Sequence, residues 1–340
     1  MLVTDLINVR YLSGFTGSNA ALLVLAEHET PVLATDGRYR TQAARQAPDA
    51  EVVIERACNP HLVGRAAASG VRRLGFESHV VTVDAFATFT REAGERCELI
   101  RAAGTVEGLR EVKDSGELAV LRLACEAADA ALTDLVQTGG LRPGRTEKEV
   151  RNDLEALMLV HGADGASFET IVAAGANSAV PHHRPTDAVL AAGDLVKIDF
   201  GALVAGYHSD MTRTFVLSPI ADWQRDIYEL VATAQRAGRE ALAPGVALKD
   251  VDAASRQVIA EAGYAENFGH GLGHGVGLQI HEAPGINGAA AGTLLAGSAV
   301  TVEPGVYLTD RGGVRIEDTL AVTGDSPELL TRFSKDLVVL

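Results

Sequence analysis

Cysteine is scarce and unsuitably placed for chemistry. The three residues, Cys58, Cys97 and Cys125, lie far apart and are odd in number, which excludes both a CxxC pair and a disulfide framework. Such usage fits a reducing cytoplasm. Long apolar runs are also missing: near the N-terminus the longest, Ala20 to Ala26, is far too short to span a bilayer. The opening MLVTDLINVR has no basic start followed by a long apolar stretch, so no signal peptide is expected. Positive charge is in deficit. With 30 Lys and Arg against 45 Asp and Glu, the net charge of -15 argues against the basic surface that nucleic acid or an anionic membrane requires. There is no 20–50-residue repeat and no low-complexity tract.

What is present reads as a folded chain of two domains. Its 340 residues, 47% hydrophobic and 22% charged, are sufficient for a packed core. The first third alternates apolar runs (Ala20–Leu25, Val52–Ile54, Arg73–Phe76) with a helical stretch from Thr41 to Gln46, an α/β pattern. Near Gly108 the texture changes. Apolar residues at helical spacing from Glu117 to Val136 mark an amphipathic helix stopped by Gly139-Gly140. Thr146 and Glu149 form a capping box for the next helix. Two further helices are expected, around Asp222 to Ala241 and Leu248 to Ala262. The expected domains are residues 1–108, a smaller α/β domain, and 109–340, mainly strands and glycine-rich turns with helices between.

The second domain carries the chemistry. Lys197-Ile198-Asp199-Phe200-Gly201 and Ser209-Asp210-Met211-Thr212-Arg213-Thr214 both have strand character, with glycines between them. A hairpin centred near Val204 and Ala205 would put Asp199 opposite Asp210, with Cβ atoms roughly 5 Å apart. Carboxylates that close repel unless a proton or cation separates them. Next, glycine occupies every odd position from 269 to 277. An extended chain there has one bare face, open to another strand or a substrate, and carries His270 and His274 on the other. Glu303 and Glu317 follow in the segments VEPG and RIED. Together Asp199, Asp210, His274, Glu303 and Glu317 make four carboxylates and one imidazole. Oxygen-rich ligation of this kind suits Mn²⁺ or a similar divalent ion, and four carboxylates nearly balance two such ions.

With those segments in order, the sequence resembles the Xaa-Pro peptidases, prolidase and aminopeptidase P, of the metallopeptidase group that also contains the methionine aminopeptidases. The matching pieces are Val180-Pro181-His182-His183, the DFG segment with Asp199, SDMTRT with Asp210, GHGVG with His274, His281-Glu282, Glu303-Pro304-Gly305 and Arg315-Ile316-Glu317. The stretch from Asn8 to Ser18 resembles the N-terminal domain of these peptidases, which methionine aminopeptidases lack. The resemblance implies an α+β pita-bread catalytic domain preceded by a smaller creatinase-like α/β domain. It further implies a helix and strand ahead of VTDLINVRYL, so either a truncated or a shorter start is expected.

By the same resemblance Asp210 and Glu317 bridge two metals, Asp199 completes one site, and His274 and Glu303 complete the other. His182, His270, His281 and Arg315 are implied at the substrate site. The implied reaction is hydrolysis of the bond before proline, in dipeptides or short peptides, by a hydroxide shared between two divalent ions: Mn²⁺, with Co²⁺ or Zn²⁺ as alternatives. His281 or His182 would assist at the oxyanion, and Glu303 would pass a proton to the leaving nitrogen. A homodimer is also implied. One piece departs: the arginine that many dipeptidases carry after the His-Glu pair is replaced by Ala283-Pro284-Gly285. The competing readings are a methionine aminopeptidase-like exopeptidase, a creatinase-like C–N hydrolase and an inactive binding homologue. Arg315 has a second reading, as an ion-pair partner orienting the glutamates. His183 and Arg184 are expected at the surface, and His161 and His208 to be incidental.

Overall fold

The computed structural model describes residues 1–26, 28–324 and 326–340. The chain divides into two compact units, Met1–Arg110 and Glu111–Leu340.

In the first unit, strands Glu51–Ile54, Val32–Thr35, Ala20–Leu23, Leu2–Val3, Arg73–Phe76 and Glu98–Arg101 form one six-stranded mixed sheet in that order. Successive residues of a strand point to opposite faces. Leu23 and Ala34 accordingly pack with Leu62, Val63 and Phe89 on one side. Leu22 and Leu33 pack with Val9, Phe15 and Ala43 on the other. Helices on both faces explain why Ala20–Leu23 reads as an unbroken apolar run rather than an alternating one.

The second unit pairs helices with sheets twice. Helices Ser115–Gln137 and Glu147–Val160 cover the antiparallel sheet of Ile171–Ala174, Leu195–Phe200 and Met211–Val216. Helices Asp222–Glu240 and Leu248–Glu261 cover the five-stranded sheet of Glu282–Ile286, Gly273–Gly275, Ala299–Val302, Asp318–Ala321 and Glu328–Leu329. Capping boxes open both helices of the first pair. The box at Thr146 and Glu149 has a counterpart at Asp114 and Glu117, whose D-x-x-E spacing the sequence also displays.

The two sheets are joined where residues 210–214 run beside 315–319. Glu317 N–H donates to Thr212 O (3.1 Å), Thr214 Oγ1 to Arg315 O (2.9 Å) and Thr319 Oγ1 to Asp210 O (2.8 Å). Arg213 is fully buried at this seam and donates to the carbonyls of Thr212, Glu317 and Phe333 and to Asp318. A buried charge persists only when paired in this way.

The glycine row serves close packing. Only Gly273–Gly275 is regular strand, with a bulge between His274 and Gly275. A Cβ on Gly273 would lie 2.0 Å from Thr301 O, and one on Gly275 2.0 Å from Ala283 O, so the bare face is filled by the two neighbouring strands. At Gly269 a Cβ would meet nothing within 4 Å. Gly273→Ala is therefore expected to destabilise the domain by on the order of 1–3 kcal/mol, whereas Gly269→Ala changes little. Equal melting temperatures for the two variants would refute this account of the row.

Candidate metal centre

The hairpin register differs from the expectation. Val204 pairs with Tyr207 and Asp199 with Thr212, so the turn lies at Ala205–Gly206. Asp210, two residues before Thr212, is diagonal to Asp199 rather than opposite. A shift by an even number keeps both aspartates on one face, and both line the same cavity. The turn sits later because Ala205 and Gly206 both adopt positive φ, which tight hairpin turns demand.

That cavity has a volume of about 290 Å³. Asp199, Asp210, His274, Glu303 and Glu317 line it, together with His182 and His281. Ligand atoms of Asp210, His274 and Glu317 lie within 4.8 Å of one another. His274 Nε2 is 3.5 Å from Asp210 Oδ2 and 3.4 Å from Glu303 Oε1. Its Nδ1 sits 3.1 Å from the carbonyl of Gly275. A carbonyl only accepts, so Nδ1 carries the proton and Nε2 turns an electron pair towards the carboxylates.

Burial sets the electrostatics. It raises the Asp210 carboxyl well above the usual range, with Glu317 and Asp199 adding repulsion. Glu317 is raised by burial and then by Glu303. Burial pushes Glu303 from 4.5 to about 8, and lowers His274 to about 4. His281, its ring 4.4 Å from that of His274, is lowered by burial and then by His182. Asp199 Oδ1 and Glu317 Oε1 are buried with no hydrogen-bond partner among the described residues. Orphaned carboxylate oxygens, mutual repulsion and a lone pair aimed at them are what a cation relieves, so the donor set fits divalent metal.

Two expected substrate residues stand elsewhere. Arg315 is buried and absent from the cavity lining. It donates to Asp199 Oδ2, to Thr212 Oγ1 (3.0 Å), to the Tyr307 hydroxyl (2.8 Å) and to Pro181 O (3.2 Å). Its place is behind Asp199. His270 is likewise off the lining. Its Nδ1 donates to Gly271 O, so Nε2 accepts from Tyr307 at 2.9 Å. His183, expected at the surface, lines the cavity and bonds Glu147 at 2.8 Å. Burial alone would raise the Glu147 carboxyl, but bonds from Ala174, Asn177, His183 and Thr186 outweigh it and hold the group below its usual range. His208 is tied to Ser167, and His161 to Asp134.

Some residues escaped sequence reasoning. Thr212 donates to Glu317 Oε2 at 2.6 Å. Its position two residues after Asp210 on one strand face is a readable signal. Tyr307 carries no such signal, because its role depends on Arg315 and His270 reaching it from other segments.

Carboxylates and an imidazole converging inside this α+β pita-bread fold define a metal-dependent hydrolase. The chain belongs to metallopeptidase family M24: residues 119–324 match that family and residues 1–112 match the creatinase/prolidase N-terminal domain. It is 39% identical over 341 residues to the uncharacterized peptidase YqhT of Bacillus subtilis, covering 100% of this chain and 95% of the relative. The structure of an Xaa-Pro dipeptidase from Bacillus anthracis superposes with a TM-score of 0.95 at 38% identity, covering 100% of this chain and 94% of the other. That of an X-Pro aminopeptidase from Thermotoga maritima gives 0.91 at 33% identity, covering 100% and 97%.

The metal-free centre has a pH signature. Glu303, raised to about 8, binds more protons folded than unfolded. Its contribution is complete below its unfolded pKa and is lost as pH rises through about 8. His274 acts in the opposite sense only below 6.5. Chelator-treated protein should therefore melt at progressively lower temperature from about pH 6.5 to 8, with a smaller slope in Glu303→Gln. A flat or rising profile contradicts the assignment. His274→Ala should lower bound metal in elemental analysis, and unchanged stoichiometry would remove His274 from the ligand set.

Proposed function

We propose that the chain hydrolyses the peptide bond preceding proline in dipeptides or short peptides, using two divalent ions, Mn²⁺ or a similar metal. Asp199, Asp210, His274, Glu303 and Glu317 would hold them. The observation that carries this reading is the pair of orphaned carboxylate oxygens, Asp199 Oδ1 and Glu317 Oε1, in a cavity that the His274 lone pair also faces. The Xaa-Pro dipeptidase and X-Pro aminopeptidase neighbours support the choice of bond. When bound, the ions supply Lewis acidity that acidifies water and polarises a carbonyl.

The chain's own residues do the rest. Proline has no N–H and a fixed φ, so it must be recognised as a ring. Phe168, Ile171 and Ile280 give the cavity an apolar wall for that purpose. His182 and His281 stand on the same lining and donate to the carbonyl oxygen as charge develops there. The water oxygen bonds to the carbonyl carbon as its proton passes to the Glu303 carboxylate, and Glu303 delivers that proton to the leaving nitrogen as the C–N bond breaks. Arg315 fixes Asp199 from behind.

An assay with Mn²⁺ on an Xaa-Pro dipeptide, an Xaa-Pro-Yaa tripeptide and a Met-Ala peptide tests this. Cleavage before proline, abolished by chelator and restored by metal, is expected. Activity surviving complete metal removal sinks the mechanism, and cleavage of the methionyl peptide alone sinks the specificity.

A further inference from the structure

We propose that Arg184 receives the C-terminal carboxylate of the substrate and thereby selects dipeptides over longer peptides. This rests on the Xaa-Pro reading above and assigns the part of the cavity which that reading leaves unexplained.

The argument begins with charge. Among the described residues lining the cavity, five are carboxylates: Glu169, Asp199, Asp210, Glu303 and Glu317. Arg184 is the single lysine or arginine. A dipeptide brings its own carboxylate into this surrounding, and among the lining side chains only Arg184 offers it fixed positive charge away from the five-residue ion site. The Arg184 side chain is 83% exposed, and its Nε lies 3.2 Å from Glu169 Oε2, on a side chain itself 56% exposed. An exposed pair of this kind is weak and screened by salt. The guanidinium can therefore exchange Glu169 for a substrate carboxylate, which its planar fork grips with two parallel bonds. Phe168 immediately precedes Glu169 and lines the same cavity. A proline ring lying on Phe168 would carry its carboxylate towards the Arg184–Glu169 pair.

The mount of Arg184 is rigid although its head is free. His183, one residue before it, and Thr186, two residues after it, both bond the buried Glu147. The distances are 2.8 Å from His183 Nε2, 2.9 Å from Thr186 N and 2.8 Å from Thr186 Oγ1. Glu147 also accepts from Ala174 N and Asn177 Nδ2, each at 2.9 Å. Lys197 Nζ holds the carbonyl of Val180 at 2.6 Å. Pro185 further restricts the Arg184 backbone to extended conformations. Backbone entropy is thus already spent before substrate arrives, and only side-chain rotamers are ordered on binding.

A dipeptide presents a carboxylate directly on its proline. A longer peptide presents a neutral amide at the same point, and Arg184 then keeps Glu169 as its partner. The test compares an Xaa-Pro dipeptide with its C-terminal amide on the Mn²⁺-loaded full chain. Wild-type kcat/KM should favour the free acid about tenfold, the size of a hydrogen bond to a charged group. Arg184→Gln should bring the ratio close to one, mainly through KM of the acid, and Arg184→Lys should keep part of the preference. Added salt should erode the wild-type preference and leave the ratio of Arg184→Gln unmoved. Unchanged metal content and melting temperature verify that each variant is folded. An Arg184→Gln ratio equal to wild type overturns the proposal, as does a wild-type enzyme without preference for the acid. Failure of wild type to cleave either compound overturns the Xaa-Pro reading along with it, so the two failures are distinct.

Discussion

Four carboxylates face one cavity from which much of the water that would screen them has been removed. Asp199, Asp210, Glu303 and Glu317 reach it from different segments, and the charged forms of the last three are penalised first by burial. Repulsion among like charges in such a place would open the domain unless something opposed it. Two devices do so within the protein. Arg315 neutralises Asp199 from behind, and Thr212 and Thr301 donate to Glu317 and Glu303. The remaining deficit is what a metallopeptidase site fills with cations. The seam between the sheets must be strong for the same reason, and Arg213 with its carbonyl and carboxylate partners provides that.

Helices and ligands were legible for different physical reasons. The helix starts at Asp222 and Leu248 follow from apolar spacing, and the cap at Thr146 from local hydrogen bonding, all within a few residues of sequence. That Asp199, Asp210, His274, Glu303 and Glu317 meet in one cavity is readable because each sits in a compact segment whose residue types have few other uses. Register is harder. A hairpin's pairing depends on which residues take positive φ, and Ala205 does so without announcing it. Networks closed by distant segments are harder still. Nothing near Glu147 in sequence signals that it ties down His183, 36 positions away. Nor does anything near Arg315 place it behind Asp199 rather than in front of substrate. Burial at both positions is decided by the tertiary arrangement.

The neighbours carry two names, one an Xaa-Pro dipeptidase and one an X-Pro aminopeptidase. The fold is common to both. In this chain the sequence after His281-Glu282 continues as Ala283-Pro284-Gly285, with no side-chain charge and off the lining of this cavity. The segment that contains Arg184 is the opposite: charged, exposed at its tip and anchored beneath.

The seam between the sheets has a consequence for the chain's history. Residues 199 and 210 belong to one helix-covered sheet, whereas 274, 303 and 317 come from the other half of the domain. Part of the proposed ion site therefore leaves the ribosome well before the rest exists. A nascent chain that has emerged only as far as the helix Leu248–Glu261 holds Asp199 and Asp210 without their partners. On the ligand set proposed above, a fragment truncated before Glu317 would lack one of the five ion-holding side chains and be inert rather than weakened.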